Sequence, residues 1–123
     1  HLREIVLPNT VKRVGDSSFS NNKKLKRIVL PEGLAEIPDS FLSLCDVLEE
    51  ANIPTTVTKI GRSAFQWCYE LKVNQLPPKL RWIGYDAFFY CLFDSIVFAP
   101  TMENIEGGAF ANLLGLKKFI RLL

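Results

Sequence analysis

The side chains with the most chemistry to offer are Cys45, Cys68 and Cys91, which follow one another at intervals of 23 residues. Thiolates bind zinc, but zinc sites carry ligands paired roughly two to four residues apart, and no such pairing occurs here. A disulfide between stacked cysteines is a second possibility, although three thiols leave one over. Equal spacing fits a third role better, a small buried filler recurring at one place in a repeat. The odd count suits a reducing compartment or a sheltered core. The one histidine is His1, so a Ser-His-Asp or Cys-His set has no internal base. Glu49 and Glu50 are adjacent, and neighbours on a strand point to opposite faces instead of converging. Gly107-Gly108 lacks the following Gly, Lys and Ser/Thr of a phosphate loop. Together these features predict a non-catalytic chain with no cofactor and no metal ligands.

Composition narrows the classes further. In 123 residues, 48% are apolar, enough for one ordinary domain and too many for a disordered segment. No apolar run approaches the roughly 18 residues that cross a bilayer, so no membrane span is expected. Lys and Arg number 15 against 13 Asp and Glu, a net +2 that does not call for nucleic acid. The densest basic run is Lys23, Lys24, Lys26 and Arg27, with Lys12 and Arg13 in the same unit. It reads either as a site for an acidic partner or as a solvated junction diluted by Glu32, Glu36 and Asp39. The chain starts at His1 without a basic-then-apolar leader pattern.

The elements that position these residues are repeats. Phe19, Phe65, Phe88 and Phe110 lie 46, 23 and 22 residues apart, and Leu42 fills the gap after Phe19. Leu2, Leu25, Leu48, Leu71, Phe93 and Leu116 keep the same step, and Ser18, Phe41, Ala64, Ala87 and Ala109 precede the phenylalanine row. Five units follow, 2–24, 25–47, 48–70, 71–92 and 93–115, with a partial sixth over 116–123. Each opens with Leu, then aliphatics three and five residues on, then Pro, as in Leu25, Ile28, Leu30 and Pro31. A spacing of two is the period of a strand with one buried face, and Pro8, Pro31, Pro54 and Pro77 should end each strand. An apolar pair spaced by three follows (Val57 with Ile60, Leu80 with Ile83), then Gly15, Gly61 and Gly84, where a tight turn calls for positive φ. The closing Ala-Phe-x-x-Cys-x-x-Leu suggests one short α- or 3₁₀-helical turn. No unit can bury its apolar side alone, so the prediction is an α/β repeat solenoid: a right-handed curved stack with one parallel strand and one helical turn per coil.

This motif resembles the BspA-like leucine-rich repeats. The third unit carries most of it in Leu48, Ile53, Pro54, Val57, Ile60, Gly61, Ala64, Phe65, Cys68 and Leu71. The resemblance covers essentially the whole chain and implies a curved domain for attachment or protein recognition, frequent in surface proteins of bacteria and protists. Departures are Ala51 and Asn74 in an aliphatic row, Pro38 and Glu106 in the glycine row, and Arg121 in a core row. Beside Asn74, Val73 is expected to turn inward, which would make a local bulge.

Packing leaves two places free for recognition. On the concave sheet the outward row reads Val6, Val29, Asn52, Gln75, Val97 and Ile120, with Glu4, Arg27, Glu50, Val73, Ser95 and Lys118 two positions earlier. Six rungs about 4.8 Å apart span roughly 24 Å, a footprint for a peptide or protein edge. A weaker candidate is an aromatic patch of Trp67, Trp82, Tyr85 and Tyr90. Trp67 and Tyr90 share a row with Asn21 and Asn112, which suggests a surface position, and exposed Trp and Tyr serve interfaces. The expected function is a protein-protein interaction module, the partner being a protein. A structural subunit or scaffold of a larger assembly is the alternative, and a cell-surface adhesin a further one. The apolar tail Phe119-Ile120-Arg121-Leu122-Leu123 suggests a solenoid continued by more sequence or capped by a neighbouring subunit.

Overall fold

The computed structural model describes residues 3–73, 75–93, 95–112 and 118–121, with Ser95 and residues 118–121 described by backbone alone. His1, Leu2, Asn74, Leu113, Leu116, Leu122 and Leu123 lie outside the described residues, as do the side chains of Phe119, Ile120 and Arg121. The chain is a parallel-strand solenoid in which each repeat makes one coil.

Each coil carries two short strands, where one was expected. The first row comprises β1 (Glu4–Val6), β2 (Arg27–Val29), β4 (Glu50–Asn52), β7 (Ser95–Phe98) and β9 (Lys118–Arg121). The second comprises β3 (Glu36–Ile37), β5 (Lys59–Ile60), β6 (Trp82–Ile83) and β8 (Asn104–Ile105). All pairs are parallel and join like positions, for example Ile5 with Ile28 and Ile60 with Ile83. The second strand falls on the apolar pair spaced by three. Two paired residues are too few to show a period of two, so the pattern concealed it.

The second-row sheet runs unbroken in the order β3-β5-β6-β8. The first-row sheet divides into β1-β2-β4 and β7-β9, and coil four has no strand in that row. Val73 is buried, as the replacement of an inward aliphatic by Asn74 suggests. Its amide donates to the Leu92 carbonyl at 3.1 Å, and the Leu92 amide returns a bond to Leu71 at 3.0 Å. Here coil four pairs with coil five, at the isolated Lys72–Leu92 bridge.

The expected helical turn is not there. Among the described residues no helix forms. The closing segment is a chain of β-turns whose amides alternate between two kinds of acceptor. In coil three, Ser63, Phe65 and Trp67 donate to Tyr85, Ala87 and Phe89 of the next coil, at 2.8–2.9 Å. The amides between them, Ala64, Gln66 and Cys68, donate three residues back within their own coil. A helix would keep every amide local and could not tie one coil to the next. The alternation needs left-handed backbone at two places per coil. Ser17, Ser40, Ser63 and Asp86 fill one, while Asn21, Leu44, Trp67, Tyr90 and Asn112 fill the other, with φ of 53–64°.

Gly61 and Gly84 do not have the positive φ expected of their row. Their reason is close approach. A Cβ on Gly61 would lie 2.6 Å from the Asp39 nitrogen, and one on Gly84 would lie 2.7 Å from the Arg62 nitrogen. Adjacent coils press backbone to backbone there, which only glycine permits.

The core lies between the strand rows and the turn row. Phe65 stacks on Phe88 at 5.3 Å and Phe88 on Phe110 at 5.5 Å, so the phenylalanine row is a ladder. Phe65 and Phe88 are fully buried, but Phe110 is only partly so. In coil two the order is Phe41-Leu42, and Phe41 meets Phe19 edge-on.

Candidate protein-binding surface

The first-row strands turn Ile5, Ile28 and Ile96 to the core and leave the predicted outward row on the surface. Val6 is 60% exposed and Val97 41%, which are large values for aliphatic side chains. Val29 is half-buried, Asn52 and Gln75 are exposed, and the side chain of Ile120 lies outside the described residues. In the parallel row, Arg27 ion-pairs with Glu4 at 2.9 Å and Glu50 at 3.2 Å. These contacts raise the Arg27 pKa, first through its hydrogen bond to Glu4. The charges on this face are therefore spent on one another, and the outward row is left mainly apolar.

Asn52 differs from its reading as a free amide. Its Oδ1 accepts the Leu30 amide at 2.7 Å and its Nδ2 donates to the Leu30 carbonyl at 3.3 Å. The side chain thus extends the β2–β4 ladder by one rung. Gln75 makes no such bond among the described residues and is the available amide of the pair.

Between β4 and coil four lies a cleft of about 680 Å³. Half-buried Ala51 and Ile53 with buried Val73 and Leu76 make its floor, and Glu49 and Gln75 stand on its rim.

The four aromatics proposed as one patch form two groups. Trp67 stacks on Tyr90 at 4.9 Å, and Tyr69 and Phe89 complete a four-ring cluster. Trp82 and Tyr85 sit apart, under Lys59 and Arg62, at 5.8 and 5.3 Å from the ring centres. Among the described residues no ring contact joins the groups. The asparagines in the Trp67 row mark left-handed backbone more than exposure, since Asn tolerates that conformation and bulky residues resist it.

The cysteines are buried and free. Each thiol donates to a carbonyl of the preceding coil: Cys45 to Phe19, Cys68 to Leu42 and Cys91 to Phe65, at 3.0–3.2 Å. Burial raises all three thiol pKa values, most clearly at Cys68 and Cys91. The basic run is partly spent, since Lys23 pairs with Asp46 at 2.9 Å and Arg27 with its two glutamates.

A family model of the BspA type leucine rich repeat region matches residues 1–117 in six copies. The chain belongs to that family. This BspA-type chain superposes on a leucine-rich repeat protein from Bacteroides ovatus with a TM-score of 0.86 at 31% identity, over 97% of its length. It matches the T. pallidum leucine rich repeat protein with a TM-score of 0.85 at 24% identity, over 95% of its length. It spans 33% of the first protein and 57% of the second. No curated protein matches it. Among these BspA-type repeats, the signal that sequence reasoning missed was the pairing of Ala51 with Asn74, two neighbouring rungs both short of an aliphatic.

Proposed function

We propose that the chain is a non-catalytic protein-protein interaction module and that its partner docks on the first-row sheet. The observation that carries this reading is the exposure of Val6 and Val97 on a sheet whose charges are already paired. Apolar side chains held rigidly on a strand face lose little entropy on binding and exclude water when covered. Leucine-rich repeat domains commonly mediate such contacts.

A second reading places the partner on the turn row. Leu44, Trp67 and Tyr90 hold left-handed backbone that costs bulky residues about 1–2 kcal/mol each, and such strain gathers at functional sites.

The test is affinity capture on the immobilised chain, with partners identified by mass spectrometry, followed by variants on each face. Val97→Glu should remove the captured protein while the melting temperature stays, because an added charge must be desolvated only in the complex. Gln75→Glu should weaken capture to a smaller extent. Loss of capture with Tyr90→Asn, and none with Val97→Glu, would move the binding face to the turn row.

A further inference from the structure

We propose that the break in the first-row sheet is itself the docking point, and that the partner enters as an extended segment laid parallel to β4. This rests on the first-row reading above and names the class of partner. β4 is the last strand of β1-β2-β4, and β7 opens the next piece of sheet. Among the described residues no backbone hydrogen bond joins β4 to coil four, whose Val73 amide has gone to Leu92. An unpaired strand edge inside a sheet is a template for another strand, and main-chain bonds to it supply affinity.

The space fits. A residue in a sheet occupies roughly 160 Å³, from a rise of about 3.4 Å, a rung of about 4.8 Å and a sheet thickness of about 10 Å. The 680 Å³ cleft holds a strand of about four such residues.

Side chains also fit. The inward row of Ile5, Ile28 and Ile96 is interrupted by Ala51, which is half-buried where Ile28 is 1% and Ile96 0% exposed. An aliphatic side chain from an incoming strand would fill the hollow over Ala51, between Ile53 and Val73. Glu49 makes no ion pair among the described residues, and Glu50 keeps one face to the cleft beside its bond to Arg27. A basic residue next to the aliphatic one complements that rim. The occupant is thus an extended, weakly basic peptide segment with one central aliphatic residue.

β2 already meets this description on the other edge of β4, where Arg27 faces Glu50 and Ile28 faces Ala51. A labelled peptide copying residues 24–31, Lys-Leu-Lys-Arg-Ile-Val-Leu-Pro, is therefore the probe. Titrated with the full chain, it should bind saturably and slow hydrogen exchange at the amides of Ala51–Ile53. A peptide with Lys in place of the copied Ile28 should bind at least about tenfold more weakly, as expected for losing one buried aliphatic side chain. Ala51→Ile in the protein restores the row's usual residue, fills the hollow and should weaken the intact peptide by the same factor. Binding that leaves those amides unprotected, binding unaffected by Ala51→Ile, or no binding at all each overturns strand addition. The peptide and exchange measurements need no variant, so a poorly folded Ala51→Ile would not rescue the idea. If Val97→Glu still abolishes partner capture while the peptide fails, the first-row face stands and only the strand mode falls.

Discussion

Both sheets cross coil four, yet the second-row sheet passes through unbroken while the first-row sheet stops there and resumes at coil five. The contrast follows one row of side chains in each. The inward residues of the second row are Ile37, Ile60, Ile83 and Ile105, a β-branched aliphatic at every rung. Those of the first are Ile5, Ile28, Ala51, Asn74 and Ile96, with two successive rungs lacking that residue. A strand one rung wide has no other means of setting its register, because flipping by one residue exchanges its faces. Coil four took the flip, burying Val73. It stays attached to coil three through β5–β6, through turn-row amides such as Phe65 to Ala87, and through the Cys91 thiol on Phe65. A leucine-rich coil can therefore lose one of its ties and keep its place, which frees that edge for something else.

If the shared core and the second row hold the stack, removing Phe88 should have the largest effect. It is fully buried between Phe65 and Phe110 and touches Phe93 edge-on. Phe88→Ala should cost about 3–5 kcal/mol in denaturant unfolding. A cost under about 1 kcal/mol would mean that the coils are held separately and that the two sheets do not share one core.

Next in size is the thiol strip that spans the break. Burial keeps the Cys68 and Cys91 thiols neutral in the folded chain. In the unfolded chain they ionise near pH 8.5. Above that pH the unfolded state holds fewer protons than the folded one, so stability is full below about pH 8.5 and falls as pH rises. For two such thiols the loss is about 2 kcal/mol between pH 8.5 and 9.5. Cys91→Ala should reduce this slope, and a flat profile would mean that the thiols open to water without unfolding.

Glycine separates the rows at a smaller scale. Gly84→Ala would force a Cβ to 2.7 Å from the Arg62 nitrogen, whereas at Gly15 the nearest atom is a Ser18 hydroxyl at 3.5 Å. The first change should cost about 1–3 kcal/mol by overpacking. The second should be neutral or gain up to about 1 kcal/mol by stiffening the unfolded chain. Equal effects would refute close approach as the reason for the row.

The repeat period, the inward rows, the outward row of Val6 to Val97 and the burial of the cysteines were all legible in the sequence, because each follows from recurrence at a fixed step. The second strand and the β-turn ladder were not. Their defining contacts join coil to coil through backbone atoms, and backbone atoms leave no trace in residue type beyond Gly61, Gly84 and scattered asparagines. The binding to Leu30 hid Asn52 for the same reason, since an amide on the surface and one extending a ladder are spelled alike. The cleft was half legible. Ala51 and Asn74 were visible as departures, but their effect depended on lying one rung apart.

The smallest expected effect sharpens the comparison most, because it asks whether the turn row is kept for stability at all. Leu44 has φ of 63° and is 40% exposed. The same place is held by Asn21 in coil one and Asn112 in coil five, at φ of 61° and 53°. Leu44→Asn should recover about 1 kcal/mol of backbone strain, since asparagine accepts this conformation. It should lose about 1 kcal/mol of burial, because a half-covered leucine contributes less than the 1.5–3 kcal/mol of a fully covered one. The two nearly cancel, so the melting temperature should stay within about 2 °C, the shift for a few tenths of a kcal/mol in a domain of this size. Loss of more than about 2 kcal/mol would make the turn row a packing element like the second-row sheet. With stability unchanged, folding would not account for the strained Leu44, Trp67 and Tyr90. The turn row would then stand beside the broken sheet as a second surface on which function and not packing chose the residues.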